Sequence, residues 1–193
     1  MPGISGIIFK KPKEKNLFRH SISKMSNLIR HRGPSQSGFL NYENIYLSHI
    51  NSLNNDKDKS SREPMSLDDR YSIMLDGAIY NYREIRESLI KKKYKFYTNT
   101  HTEVALNAFK EFEINSFNYF NGDWVICILD KLKKKIIIAK DGLGTKPFYI
   151  YAQRDFISFC SEIKGFRVFG SMQFDYSKLG LNQLTIYNFN STK

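Results

Sequence analysis

The side chains able to carry chemistry are few and scattered. His49, Asp76, His101 and Glu103 are types that ligate metals, yet their spacing matches no compact ligand motif, so no metal site is expected. The two cysteines, Cys127 and Cys160, each lie inside an apolar run, WVICILD and FISFCSE, without metal-ligand spacing. They read as reduced core thiols of a cytoplasmic protein, with a structural disulfide as the alternative. Ser5 offers a hydroxyl in a stretch that reads as strand. Lys140 and Lys146 border a glycine-containing loop that could cradle phosphate, but it lacks the order GxxxxGK[ST].

The elements that would position these groups follow from periodicity. Ile4 to Phe9 is a short apolar run, a strand candidate. Leu17, Phe18, Ile22, Met25, Leu28 and Ile29 recur at helical spacing, and Gly33-Pro34 stops that helix. Gly38 to Tyr42 and Ile45 to Ile50 read as strands around a tight turn. Asn51 to Asp69 is polar and aperiodic, the longest expected loop. Tyr71 to Leu75 reads as a strand leading into Asp76-Gly77. Helices are expected over Tyr82 to Ile90 and Thr102 to Phe112, with Thr100 or Thr102 as N-cap. Strands follow at Trp124 to Leu129, Lys135 to Ala139, Phe148 to Tyr151 and Phe156 to Phe159. Strands at both ends with helices between them predict an α+β domain with largely antiparallel sheets.

Composition bounds the rest. The 193 residues make about one domain, and 41% hydrophobic with 25% charged residues is globular rather than disordered. No apolar run approaches the ~20 residues of a membrane span. The start MPGISGIIFK lacks the basic opening and apolar core of a signal peptide. A net charge of +11 raises the question of nucleic acid. The basic runs, Lys10 to Lys15, Lys91 to Lys95 and Lys131 to Lys135, are short and fall at a helix end or a hairpin turn. No recognition helix or zinc finger accompanies them. An acidic protein partner fits the charge equally well.

Six motifs in order carry a resemblance. Met1-Pro2-Gly3-Ile4-Ser5-Gly6-Ile7 resembles the MCGIAGI start of class II glutamine amidotransferase domains. His31-Arg32-Gly33-Pro34 with Ser37-Gly38 resembles HRGPDDSG, and Asp76 to Tyr82 resembles NGEIYNY. Thr100 to Glu103 falls where the family has SDTE. Lys140 to Tyr149 resembles RDRLGIKPLYY, and Ser161 to Lys164 resembles SEIKAL. The nearest pattern is the N-terminal domain of asparagine synthetases and of their β-lactam synthetase and lasso-cyclase relatives. The resemblance implies a four-layer αββα N-terminal-nucleophile hydrolase sandwich over residues 1–170. Residues 171–193 would then be a linker, the start of a synthetase domain with Leu181 to Phe189 as its first helical stretch, or a partner-docking tail.

In that family a cysteine after the initiator Met attacks the glutamine amide, and its own amine moves the proton. Here the resemblance puts Pro2 at that position. Ser5, three residues on, is too far along a strand to substitute. The oxyanion hole of Asn and Gly becomes Asp76 and Gly77, and an ionised Asp76 accepts hydrogen bonds where a donor is required. The carboxylate-binding Arg becomes Asn51, the motif Glu becomes Ala78, and the amine-binding Asp becomes His101. His31 and Arg32 match a structural motif. These departures imply an inactive glutaminase-like domain. It would serve as a structural or regulatory subunit beside a separate or fused ATP-dependent, asparagine-synthetase-like amide-forming synthetase. This chain would hold no cofactor; ATP and magnesium would belong to the partner. Two other readings remain. A processed N-terminal Pro2 amine could act as base or nucleophile in the old pocket. The chain could also be a basic nucleic-acid or regulatory binding module.

Overall fold

A computed structural model describes residues 2–10, 15–34, 36–51, 62–170 and 184–188. Strand β1 (Gly3–Phe9) is the middle of a five-stranded sheet ordered β2-β3-β1-β8-β7, with β2 Gln36–Tyr42, β3 Ile45–Asn51, β7 Tyr149–Ala152 and β8 Phe156–Cys160. A four-stranded sheet is ordered β4-β5-β6-β9, with β4 Tyr71–Ile79, β5 Gly122–Asp130, β6 Lys135–Lys140 and β9 Leu184–Asn188. Every pairing in both sheets is antiparallel.

Alternation along the strands sorts the apolar residues into layers. Ile4 and Ile8 of β1 meet Met74, Val125, Cys127 and Leu129 in a buried cluster between the sheets. On the opposite face of β1, Ile7 and Phe9 pack with Ile22, Met25 and Ile29 from helix α1 (Lys15–Leu28) and the turn after it. Ile73 and Leu75 of β4 face outward onto helices α2 (Tyr82–Lys91) and α3 (His101–Phe112) through Leu89, Val104 and Phe109. The result is an αββα sandwich. The Thr100 side chain caps α3 by accepting from Glu103 N at 3.2 Å, which settles the choice between the two threonines.

Three readings need correction. Strand β4 does not end before Asp76-Gly77; its pairing with β5 continues to Ile79 opposite Gly122, so both residues lie inside the strand. Gly77 is required there, because its φ is +126° and a Cβ would come within 1.9 Å of the Asp123 carbonyl oxygen. Residues Leu184–Asn188 form a strand, not a helical stretch, because the free edge of β6 accepts them in antiparallel register. A short 3₁₀ segment, Glu113–Tyr119, was not expected from periodicity. The boundary at 170/171 opens onto residues outside the described set.

Both cysteines are buried, free thiols. Burial raises their pKa, that of Cys160 to about 11, so neither is a ready thiolate nucleophile. Among the described residues no helix is long and apolar enough to cross a membrane.

Candidate functional site

The head of β1 and the far half of β4 meet between the sheets. Arg32, in a 3₁₀ turn after α1, reaches this point although its backbone lies outside the sheets. Its Nε donates to the Pro2 carbonyl at 2.9 Å, and its Nη2 donates to Asp76 Oδ2 at 2.8 Å. Both side chains of this ion pair are almost wholly buried. Ser161, at the end of β8, joins them: its hydroxyl donates to Asp76 Oδ2 at 3.1 Å and accepts from Ile4 N at 2.9 Å. Glu162 approaches Arg32 Nη1 at 3.5 Å and binds His31 and Lys164 on its outer side. Asp76 Oδ1 has no hydrogen-bond partner among the described residues. Burial raises the Asp76 pKa, opposed by Arg32, the Ser161 hydroxyl, His49 and Lys146.

The outer edge of β4 forms the second half. An edge strand presents unpaired N–H groups, and here the chain's own groups accept them. Ile73 N donates to Met65 O at 2.8 Å, Leu75 N to Glu63 Oε2 at 2.6 Å, and Ile79 N to His101 Nδ1 at 3.1 Å. By alternation the Gly77 N–H falls on this same edge, between the last two. The other Glu63 oxygen accepts from the Thr102 hydroxyl at 2.6 Å. His49 Nε2 lies 3.1 Å from Leu75 O and 3.3 Å from Glu63 Oε2. Both are acceptors, so Nε2 carries the proton. Burial raises the Glu63 pKa, against the pull of His49, Thr102 and the Leu75 N–H, and Asp76 adds to the rise.

His101 stands at the first position of α3, its ring stacked 4.2 Å from that of Tyr82. Burial lowers its pKa, so it is the neutral acceptor that the Ile79 N–H requires. Asn51 ends β3 and, with Gly38, His49, Arg62 and Glu63, lines a cavity of only about 10 Å³. That is about the space of one water molecule. Ala78 follows Gly77 on β4, half-buried. The structure thus brings Pro2 and Asp76 together through Arg32, and brings Asn51, His49 and Glu63 around the small void. His101 and Ala78 lie at the far end of β4. Ser5 faces away in β1, buried, with no hydrogen-bond partner for its hydroxyl among the described residues. Among the described residues no group of three His, Cys, Asp or Glu side chains could hold a metal ion.

Glu63 and Ser161 escaped the sequence reading as site residues. Glu63 lies in the aperiodic stretch before β4, and nothing local shows that its carboxylate reaches a strand edge. Ser161 was read only as part of a closing motif. The one available signal was the presence of Asp76 and Asn51 within the motifs, and it points to Ser161 and Glu63 only once Arg32 and His49 are known to be buried beside them.

The family model described as "Glutamine amidotransferase domain" matches residues 1–193, and the chain belongs to that family. It is 35% identical over 185 residues to the putative asparagine synthetase [glutamine-hydrolyzing] 2 of Methanocaldococcus jannaschii, covering 86% of this chain and 35% of that protein. It is 29% identical over 191 residues to asparagine synthetase [glutamine-hydrolyzing] 1 of Bacillus subtilis, covering 98% of this chain and 30% of that protein. The chain spans about a third of the length of these curated relatives. Among solved structures, the glutamine phosphoribosylpyrophosphate amidotransferase of B. subtilis matches with a TM-score of 0.73 at 17% identity, over 87% of this chain and 43% of that one. At that identity the likeness is one of fold, and it agrees with the N-terminal-nucleophile sandwich expected from the motifs. This is a glutamine amidotransferase domain related to the N-terminal domain of asparagine synthetases.

Proposed function

We propose that this domain no longer hydrolyses glutamine and acts as a structural or regulatory subunit of an ATP-dependent, asparagine-synthetase-like amide-forming system. One observation carries the reading: Asp76, which the motif resemblance puts at the oxyanion-hole amide, is a carboxylate locked to the buried Arg32 guanidinium. An oxyanion forming beside that carboxylate would be repelled, where catalysis needs a preorganised donor. Pro2 stands at the nucleophile position and supplies neither thiol nor hydroxyl. Asn51 and His101 replace the charged groups that would grip the two ends of glutamine, and Glu63 occupies the strand edge beside them. Residues 1–170, with the strand Leu184–Asn188 added at the edge of β6, form the glutaminase-like unit in this reading. The synthetase, fused or separate, would bring the ATP and magnesium. Two buried free thiols fit a reducing cytoplasm.

The test is affinity purification of the tagged protein from its native host. Recovery of a stoichiometric ATP-dependent synthetase, or of this domain fused to one, supports the subunit role. A monomer with no such polypeptide attached contradicts it.

A further inference from the structure

A separate hollow lies on the outer helix layer, away from the Arg32–Asp76 pair. Its volume is about 270 Å³, and Lys92, Lys93, Lys95 and Lys110 line it together with Asn107 and Tyr97. Among the described residues no carboxylate lines it directly, though Glu111 and Asp68 border it through Lys92, Tyr94 and Lys110. The connection from α2 to α3 builds it. Helix α2 ends at Lys91, and the N–H groups of Lys92 and Lys93 turn back onto Leu89 O and Ile90 O. Lys93 then adopts φ of +70°, a left-handed conformation uncommon for a side-chain-bearing residue. The sharp turn draws neighbouring lysines around one space instead of spreading them along a helix.

The far wall is also held in place. Tyr97 N and Thr98 N donate to the buried Glu103 carboxylate at 2.7 and 2.6 Å, and the Asn107 amide donates to Lys95 O at 3.4 Å. Two of the four ammonium groups are neutralised locally, Lys92 by Glu111 at 2.6 Å and Lys110 by Asp68 at 2.7 Å. Lys93 and Lys95 have no carboxylate partner among the described residues. Lys93 and Lys95 are exposed, so their ammonium groups are open to an anion from solvent. Tyr97, 73% exposed, adds an aromatic face at the rim. The volume lies just under the roughly 300–1,000 Å³ of small-molecule sites.

We infer that this hollow binds a small, multiply charged oxyanion, a phosphorylated or polycarboxylate metabolite, through Lys93 and Lys95. The test is calorimetric titration of the full chain at low salt with pyrophosphate and, separately, with citrate. Saturable one-to-one binding of either is expected, and the tighter of the two identifies a phosphate or a carboxylate as the natural group. Lys93→Gln/Lys95→Gln should weaken that binding about tenfold or more, because two charge-assisted contacts are lost. Lys131→Gln/Lys133→Gln, which removes the same charge at the β5–β6 turn, should change it less than about twofold. Absence of saturable binding to both probes overturns the inference. So does binding that survives the Lys93 and Lys95 changes, or an equal loss in both double variants, which diffuse charge alone explains.

Discussion

A guanidinium buried against a carboxylate is held there by its partner, and removing one member strands the other. Arg32 and Asp76 are such a pair, and Arg32 also ties down Pro2. Arg32→Met is expected to lower stability by about 3–5 kcal/mol, which for a domain of this size is on the order of 10 °C in Tm. Adding Asp76→Asn should recover part of that loss, since the stranded charge disappears with it. Urea unfolding of both variants checks this; a loss under about 1 kcal/mol in the single variant would show that the pair does not hold the site together.

His101 gives a pH dependence of definite sign. Its folded pKa is depressed by burial below the ordinary 6.5, so the unfolded chain binds the proton more tightly. Stability is full above about pH 6.5 and falls as pH drops through the folded value. Glu63 and Asp76, both raised, act in the opposite sense: their contribution is lost as pH rises from the ordinary carboxyl range through the folded value. The difference between wild type and His101→Asn isolates the histidine, and Tm of the variant should decline less between pH 7 and pH 5.5, a window taken from that pKa of about 6.5. The candidate positions Pro2, Asn51, Asp76, Gly77, Ala78 and His101 stand out in the sequence because ordered motifs flank them. The contacts that surround them were not legible. The Arg32–Asp76 and Glu63–Leu75 contacts join residues far apart in sequence, and only tertiary packing reveals them.

At the scale of elements, β4 is the strand that matters. Its inner edge pairs with β5, and its outer edge is occupied by Met65, Glu63 and His101. Gly77→Ala places a methyl against the Asp123 carbonyl and forces β4 and β5 apart, at a cost of about 1–3 kcal/mol. Gly142→Ala, in a loop where a Cβ meets nothing within 4 Å, is expected to stay within about 0.5 kcal/mol of wild type. Chemical denaturation of the two side by side distinguishes local crowding from a general intolerance of glycine replacement. Apolar runs made most strands legible, and the spacing of Ile22, Met25 and Ile29 made α1 legible. The strand at Leu184–Asn188 was not, because its short apolar pattern fits a helix or a strand and only the open edge of β6 decides. The continuation of β4 through Asp76-Gly77 was missed because that dipeptide reads locally as a turn.

For the whole molecule, the αββα sandwich keeps the amidotransferase fold while its centre is filled with the chain's own polar side chains. Arg32 faces Asp76, His49 faces Glu63, and the void beside Asn51 has room for about one water. The most direct measurement is ammonia release from glutamine by wild type and by Pro2→Cys, with intact mass confirming that Met1 has been removed from the variant. On the proposed reading the expected result is no ammonia above the enzyme-free control from either protein, because Asp76, Asn51 and His101 still stand where the motif resemblance puts the oxyanion donor and the substrate clamps. Ammonia accumulating in proportion to the Pro2→Cys protein would contradict this and show that the pocket still binds and polarises glutamine.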